Sequence, residues 1–373
     1  MMRRGPTFWG AAVGVLAALL LIITLRPHPL TTGPMLGEQG GAIGTLVLQY
    51  THGAEFVWPV YRQFLVQQAA GVTVYVACPD EADFDELRAA LGPVPCVIKP
   101  IYTRHVMTAW ARDRWVQLLP ATPGAVITLL APQGELQQEI WPQRAGDSHV
   151  AQDVATALAP AVSARRSTLY FDGGDFLCDG PWVFVTPAVL QRNLQHTVRT
   201  REELIQAIQF DLHRQPVLLD DAPDHHAGMY MMAAGTERMV VGDPSLGAKL
   251  LAPASADGLD GGPDFTSAMQ RRFDSVAKLA ADHGYHVYRI PTVPALHGKM
   301  YLTYVNVILD ERAGKPVVYM PIYEGQEKMN AAAQGVWEAL GYTVRPIDCT
   351  SEWQRGGTLH CLVNVLQRRT GGV

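Results

Sequence analysis

The sequence predicts a single α/β domain assembled from repeated units and preceded by a transmembrane helix and a short linker. Three observations carry this prediction: a long apolar N-terminal run, short β-branched runs between amphipathic segments, and a helix-to-strand joint that occurs three times. The chain has 373 residues, of which 48% are hydrophobic and 17% are charged. A chain of this length and composition can bury a large core and is typical of a folded protein.

The N-terminus predicts a signal anchor over residues 1–26. Arg3 and Arg4 precede "FWGAAVGVLAALLLIITL", an uncharged run of 18 residues that is long enough to cross a bilayer. No A-x-A cleavage pattern follows, which favours an uncleaved anchor over a removed signal peptide. Because paired arginines stay on the cytoplasmic side, we expect the remainder to be membrane-anchored and exported, either periplasmic or extracellular.

A linker is predicted over residues 27–43 and a folded domain over residues 44–373. The linker segment is rich in Pro, Gly and Thr, a composition typical of a tether. Without the anchor, whose three basic residues have no acidic counterpart, the chain holds 27 basic and 35 acidic side chains. This acidic balance argues against nucleic acid as a partner.

Strands and helices alternate along the predicted domain. Apolar, β-branched runs predict strands at residues 45–50, 72–77, 125–130, 182–187, 238–243 and 316–321. At Gly71, Gly284 and Gly341 an amphipathic segment ends and an alternating strand pattern begins at once. Glycine suits the left-handed position that ends a helix, so the three joints predict repeated α/β units.

The five cysteines are widely scattered, at Cys78, Cys96, Cys178, Cys349 and Cys361. They form no C-x-x-C pair and have no Cys/His spacing suited to zinc. The cysteines therefore predict no metal site. That the chain needs neither a metal nor an organic cofactor is implied instead by the thiol chemistry considered below.

Polar clusters interrupt the apolar pattern at four places. These are "WARDRW" (110–115), "LYFDGGDFL" (169–177), "DHHAGMYM" (224–231) and "QRGGTLHCLVNV" (354–365). Each of the first three has an ordinary structural interpretation as an ion pair, a turn or a buried histidine. Their order is more informative: an acid, an acid with paired glycines, a histidine, and a late cysteine preceded by glycines.

This order resembles the pentein, or guanidino-modifying, superfamily, which includes the arginine, agmatine and peptidylarginine deiminases. "GGTLHC" is similar to the nucleophile motif of the agmatine and peptidylarginine deiminases, "ARDRW" to the Arg-Asp element and "FDGGDF" to the acidic-Gly-Gly element. "HHAGMYMMAAGTERMVVGDP" resembles the His-x-Asp segment, and "MYLTYVNVILD" the Ser-Tyr-x-Asn strand. The resemblance spans about residues 45 to 368 and implies a pentein-type α/β propeller of about five ββαβ-like units.

The resemblance also implies roles for individual residues. Cys361 would be the nucleophile and His226 the acid/base, with Asp172 supporting His226 or the substrate. Asp113 would bind guanidinium nitrogens. The remaining substrate-binding candidates are Trp110, Gly356 and Gly357. The implied substrate is a small-molecule or peptidyl guanidino or amidine compound, and the membrane contact would be made by the N-terminal helix alone.

The sequence departs from the family pattern at one important position. Where the family has His-x-Asp, this chain has His226-Ala227-Gly228, so a second guanidinium-binding carboxylate is missing. Asp172 also replaces the more common glutamate. Carboxylates from a nearby turn would be the alternative source, namely Asp220, Asp221 or Asp224.

Two functions therefore remain open. The first is a hydrolase of C–N bonds in guanidino or amidine compounds, which the retained Cys361 and His226 favour. The second is a catalytically inactive pentein that serves as an exported binding or sensing module, which Gly228 favours. A papain-like cysteine protease fits less well, since its cysteine precedes its histidine and Cys361 follows every histidine.

Overall fold

The structure is a computed structural model that describes residues 32–369, apart from 123, 137–141, 143, 253–257 and 298–299. The helices of this part are α1 (Trp58–Leu65), α2 (Glu81–Leu91), α3 (Arg144–Ala157), α4 (Pro187–Asn193), α5 (Arg201–Leu212), α6 (Pro244–Leu250), α7 (Ser267–Asp282), α8 (Glu327–Ala339) and α9 (Leu359–Leu362).

The strands are β1 (Thr32–Met35), β2 (Ala42–Gln49), β3 (Thr73–Cys78), β4 (Val97–Tyr102), β5 (Val116–Pro120), β6 (Ile127–Ala131), β7 (Val162–Arg166), β8 (Phe176–Asp179), β9 (Trp182–Val185), β10 (Gln215–Leu218), β11 (Met231–Ala233), β12 (Arg238–Asp243), β13 (His286–Pro291), β14 (Val293–Pro294), β15 (Tyr301–Leu302), β16 (Ile308–Arg312), β17 (Lys315–Ile322), β18 (Thr343–Asp348) and β19 (Val363–Arg369). Each of the six predicted strands overlaps one of these, so the predictions are confirmed.

The strands form sheets with the orders β1-β5-β6-β7, β10-β9-β8, β11-β12-β13, β14-β15, β16-β17-β18 and β19-β2-β3-β4. Five of the sheets share one pattern, in which an antiparallel pair is followed by a parallel strand. The chain passes through at least one helix between the two parallel strands, as parallel pairing requires. The described fold is thus mixed α/β.

The predicted glycine joints lie between helices and strands. Gly284 follows α7 with φ of 91°, and Gly341 follows α8 with φ of 89°. In this left-handed region glycine avoids the strain that a Cβ atom would add. Each glycine is followed almost directly by the parallel strand of its sheet, β13 or β18.

The predicted closed propeller of about five units is wrong. Among the described residues the sheets are separate, hold from two to four strands, and none closes on itself or forms a propeller-like array. Helix periodicity and a C-terminal glycine specify a local unit and its crossover. They contain no information about contacts between units far apart in sequence, which decide how the units are arranged.

The predicted transmembrane helix is not supported. In the range 32–369, within the gaps given above, no helix is long and apolar enough to span a bilayer. The predicted anchor, residues 1–26, lies outside the described residues. Export of the domain stays a prediction.

The C-terminal part of the predicted linker is folded. Residues Thr32–Met35 form β1, which pairs antiparallel with β5, and Glu38 is buried. Ala42, which the composition also places in the linker, begins β2. Composition predicted a tether here because Pro and Gly are common in linkers, but backbone pairing with a distant strand is invisible to composition.

Helix α8 packs into the core and holds the segment that leads to Asn306. Its inward face carries Met329, Ala333 and Trp337, spaced four residues apart and fully buried. The indole N–H of Trp337 donates to the carbonyl oxygen of Tyr304 at 3.0 Å. This bond fixes the chain two residues ahead of Asn306, a residue of the site described below.

Five short segments lead into the antiparallel pairs of five different sheets, and each carries one residue of the site. Asp113 precedes β5, Asp172 precedes β8, His226 precedes β11, Asn306 precedes β16 and Cys361 precedes β19. The turn of Asp172 contacts the turns of Asp113 and His226, and α9 contacts the turn of Asp113. Equivalent positions in separate sheets therefore converge on one place.

Candidate active site

Cys361 lies in α9 with its side chain turned into the protein, and the residue is only 3% exposed. Its Sγ atom is 3.5 Å from the side-chain nitrogen of Asn306 and 4.0 Å from the sulfur of Met229. The amide oxygen of Asn306 accepts from the Thr358 hydroxyl at 2.7 Å and from the His360 backbone N–H at 3.0 Å. Asn306 thus holds the turn that carries the thiol.

The two glycines ahead of Cys361 shape the wall beside it. A Cβ atom added at Gly357 would lie 2.6 Å from the Trp110 ring and 3.2 Å from the Cβ atom of Cys361. Gly356 has φ of 85°, and its carbonyl group bonds to the ring of His225. The Gly-Gly pair therefore lets Trp110 rest directly on the backbone next to the thiol.

His226 lies between two carboxylates and the thiol. Its Nδ1 atom is 3.7 Å from Asp113 Oδ1, and its Nε2 atom is 3.7 Å from Asp172 Oδ2. Its side chain also interacts with Cys361. A Cβ atom added at Gly174 would be 2.6 Å from the His226 ring. The second glycine of "DGGD" therefore provides the space in which the imidazole lies.

Three arginines neutralise the two carboxylates. Asp113 Oδ2 is 3.0 Å from Arg114 and 3.4 Å from Arg144. Asp172 is 3.3 Å from Arg144 through Oδ1 and 2.9 Å from Arg192 through Oδ2. Both aspartates are buried. Buried carboxylates need such partners, because an uncompensated charge is strongly unfavourable away from water.

These charges set the protonation of His226. Burial lowers the pKa of His226, but the negative Asp113 and the interactions with Asp172 and Cys361 outweigh this and raise it well above 6.5. Burial raises the pKa of Asp172, yet His226 and Arg192 bring it well below its usual value. Burial raises the pKa of Asp113; His226 opposes this, while the neighbouring Asp172 charge adds to it. A positively charged imidazole beside the thiol results at neutral pH.

The space at Gly228 is occupied by other side chains. A Cβ atom there would be 3.1 Å from His360 Nδ1 and 3.4 Å from the Asn306 side-chain nitrogen. His360 in turn lies 2.9 Å from the carboxylate of Glu38. The structure thus has no carboxylate at position 228. The side chain nearest to this position is His360, which bonds to Glu38.

The alternative carboxylates lie on the surface. Asp220 pairs with Arg201 at 2.6 Å, and Asp224 lies 3.5 Å from Arg272. The side chains of both aspartates are more than half exposed. Asp221 is also exposed. These positions do not supply the second anchor that we considered for them.

The structure brings Cys361, His226, Asp172 and Asp113 together, and it places Trp110 and Gly357 beside them. Sequence reasoning missed Asn306, although it lies in the quoted "TYVN" segment and, like the other site residues, shortly before a strand. It also missed Arg144 and Arg192. No sequence signal distinguishes them from ordinary surface arginines.

One group of three side chains in the described ranges has ligand atoms close enough for a metal ion. It consists of His52, Glu55 and Glu86. The group lies at the protein surface and includes none of the site residues.

The comparisons with known proteins agree with this geometry. A model of the Porphyromonas-type peptidyl-arginine deiminase family matches residues 49–365. The chain belongs to this family. No curated protein matches the sequence. Resemblance to the pentein superfamily is therefore confirmed, and peptidyl-arginine deiminase family membership covers every residue of the candidate site.

Solved structures of several deiminases are similar to this family member. Agmatine deiminase of C. jejuni has a TM-score of 0.66 and 13% identity, covering 93% of this chain and 99% of that chain. Agmatine deiminase of Enterococcus faecalis has a TM-score of 0.64 and 15% identity, covering 89% of this chain and 94% of that chain. At such identities the likeness shows the shared fold.

Proposed function

We propose that this protein is a deiminase that hydrolyses a C–N bond of a guanidino or amidine compound, with Cys361 as its nucleophile. One observation carries the proposal: a thiol, a charged imidazole and two carboxylates from four distant segments meet in one buried site. Family membership supports the same reaction class. The named family and neighbours refer to peptidylarginine and agmatine, so both peptidyl and free guanidino compounds are candidates.

The first half of the reaction uses Cys361 and protonated His226. The sulfur, as thiolate, attacks the central carbon of the guanidino group and forms a C–S bond. His226 gives its proton to the departing nitrogen as that C–N bond breaks, so ammonia leaves. The raised pKa of His226 suits this step, because the imidazole is charged before the attack.

The second half uses the imidazole that has lost its proton. His226 accepts a proton from water, and the water oxygen adds to the carbon of the thiouronium intermediate. The C–S bond then breaks and restores the thiolate, and the ureido product leaves after losing the proton that the cationic intermediate carried, which ammonia takes up as ammonium. Asp172 keeps the imidazole oriented, since it contacts both His226 and the neighbouring arginines.

Asp113 supplies the polar contact to the substrate. Its Oδ1 atom is buried and has no hydrogen-bond partner among the described residues, although it lies close to His226. A buried acceptor of this kind is stabilised when a substrate N–H group donates to it. Trp110 packs against Gly357 beside the Cβ atom of Cys361 and provides an apolar wall.

The proposal is tested by ammonia release from arginine, agmatine and short arginine peptides. We expect activity from the wild type, none from Cys361→Ala, and a loss of at least about 100-fold in His226→Ala. The rate should fall as pH rises through the pKa of His226, which is well above 6.5, because the imidazole loses its proton there. Cys96→Ala, which changes a buried thiol outside the site, serves as the matched control and should keep wild-type activity.

Labelling of the thiol separates an enzyme from a binding module. We expect iodoacetamide to alkylate Cys361 faster than the four other cysteines, as judged by mass spectrometry, and His226→Ala to slow it. If no substrate releases ammonia and Cys361 is alkylated no faster than Cys96, the catalytic proposal fails. The binding-module function would then replace it.

A further inference from the structure

Arg144, the first residue of α3, is a guanidinium group held by carboxylates inside the candidate site. Its terminal nitrogen lies 3.4 Å from Asp113 and 3.3 Å from Asp172, and its Nε atom lies 3.3 Å from Glu135. The side chain is 9% exposed. The protein thus already places one guanidinium between the two aspartates that flank His226.

The carboxylate oxygens are almost all engaged. Asp113 Oδ2 forms ion pairs with Arg114 and Arg144. Asp172 Oδ1 pairs with Arg144, and Asp172 Oδ2 pairs with Arg192. Asp113 Oδ1 alone among these four oxygens is buried without a hydrogen-bond partner in the described part of the chain. A guanidinium is recognised best by two parallel bonds to a carboxylate, and one oxygen cannot provide them.

Other sources of a second acceptor are closed. Gly228 adds no carboxylate, and its surroundings are filled by His360 and Asn306. Asp220 and Asp224 are exposed and paired on the surface. While Arg144 keeps its position, an incoming group meets a single acceptor rather than a carboxylate pair.

We propose that Arg144 is a specificity-determining residue, which occupies the carboxylate pair in place of a substrate guanidinium and leaves one acceptor, Asp113 Oδ1. This inference rests on the proposed function for the meaning of specificity. The site then discriminates against compact guanidinium cations, which depend on bidentate pairing. It favours guanidino or amidine substrates that bind through one N–H contact and gain the rest of their affinity from groups farther from the reacting carbon.

The test removes Arg144 and offers the free guanidinium ion as the probe. In Arg144→Ala, low millimolar guanidinium chloride should bind in the vacated space, raise the melting temperature saturably and slow alkylation of Cys361. We expect an affinity at least about tenfold above that of the wild type, since two charge-assisted hydrogen bonds are restored. Sodium chloride at equal ionic strength gives the background.

Two further variants keep the test decisive. Arg144→Gln keeps much of the side-chain volume and serves if the alanine variant folds poorly; it should also bind guanidinium more tightly than the wild type. Arg201→Ala removes an arginine from an exposed ion pair with Asp220 and should bind guanidinium no more tightly than the wild type.

The outcomes for specificity and for catalysis are distinct. Guanidinium binding by the Arg144 variants, with protection of Cys361, supports the inference even if no ammonia is ever released. Equal guanidinium affinity in the wild type and both Arg144 variants overturns it, whether or not the wild type is an active deiminase. If the deiminase is active, KM for agmatine should also fall in Arg144→Ala more than kcat changes.

Discussion

Single residues in this protein are explained best by what an added atom would touch. A Cβ atom at Gly173 would lie 2.2 Å from the carbonyl oxygen of Arg112, and one at Gly174 would lie 2.6 Å from the His226 ring. Real side chains do not tolerate such distances, so either the neighbour or the turn must move. The paired glycines of "DGGD" therefore allow the Asp172 turn to pack against both the Arg112 backbone and the His226 imidazole.

Gly174→Ala should damage activity far more than it damages the fold. The added methyl group displaces the His226 ring from its place beside Cys361, and misplacement by about 1 Å can lower a rate by about 100-fold. We therefore expect kcat/KM for ammonia release to fall by about that factor.

Gly335→Ala is the matched control for this substitution. Gly335 lies in α8, is exposed, and has no atom within 4 Å of an added Cβ. Alanine there should keep activity and raise the free energy of unfolding by about 0.5–1 kcal/mol through its higher helix propensity. Equal activity in the Gly174 and Gly335 variants would contradict the role given to Gly174.

At the scale of elements, the segment between β18 and α9 carries a buried acid of its own. Glu352 is fully buried and accepts from the Ser351 hydroxyl at 2.5 Å, and its Oε1 atom has no hydrogen-bond partner in the part of the chain that the structure describes. Burial raises the pKa of Glu352 to about 7 from 4.5. The same segment holds Gly356 and Gly357, so the ionisable Glu352 is close in sequence to the glycines beside Cys361.

Glu352 should make stability depend on pH between about 4.5 and 7. A carboxyl group whose pKa is raised on folding stabilises the folded state fully below its unfolded pKa, and this contribution is lost as pH rises through the folded pKa. From pH 4.5 to above 7 the wild type should lose about 3 kcal/mol relative to Glu352→Gln. Urea denaturation at a series of pH values measures the difference.

The control for this prediction is Glu324→Gln, since Glu324 is exposed. It should show the same pH dependence of unfolding as the wild type. A parallel pH dependence in Glu352→Gln and the wild type would show that Glu352 does not titrate in this range in the folded protein.

For the whole molecule, the N-terminal and C-terminal parts of the described chain support the site together. β1 pairs with β5, and β19, which follows Cys361 directly, pairs with β2. Glu38, between β1 and β2, bonds to Arg112 and His360, and its carbonyl oxygen accepts from Arg368 at 2.5 Å. One buried carboxylate therefore joins segments from both ends of the described domain next to Cys361.

Glu38→Gln should destabilise the whole domain. Burial raises the pKa of Glu38, but Arg112 and His360 outweigh this and lower it to about 2, so the group is charged at neutral pH. Without that charge, buried Arg112 loses its counter-ion, a loss that typically costs about 3–5 kcal/mol. Chemical denaturation at pH 7 measures the change, and we expect a single cooperative transition at lower denaturant.

Glu202→Gln is the comparison for Glu38, because Glu202 is exposed on α5. Its effect should stay within about 0.5 kcal/mol. A Glu38 variant as stable as this control would mean that buried Arg112 finds another counter-ion.

Much of the site could be predicted from the sequence, and for a definable reason. Cys361, His226, Asp113 and Asp172 lie in motifs whose order along the chain is itself informative. Arg144 and Arg192 could not be predicted, since a charged residue near a helix end is usually solvated. Asn306 was within reach, because its place before β16 repeats the place of the other four residues.

The α/β class, the six strands, the glycine joints and the family follow from the sequence alone, because each depends on local spacing or on the order of motifs. The arrangement of the sheets, the inclusion of the Glu38 segment in the domain and the pairing of Arg144 with the carboxylates follow from the three-dimensional structure. Those features depend on distances between groups far apart in the chain. Because buried charges interact strongly, such distances have large effects on the free energy of folding. A local sequence pattern contains no information about them.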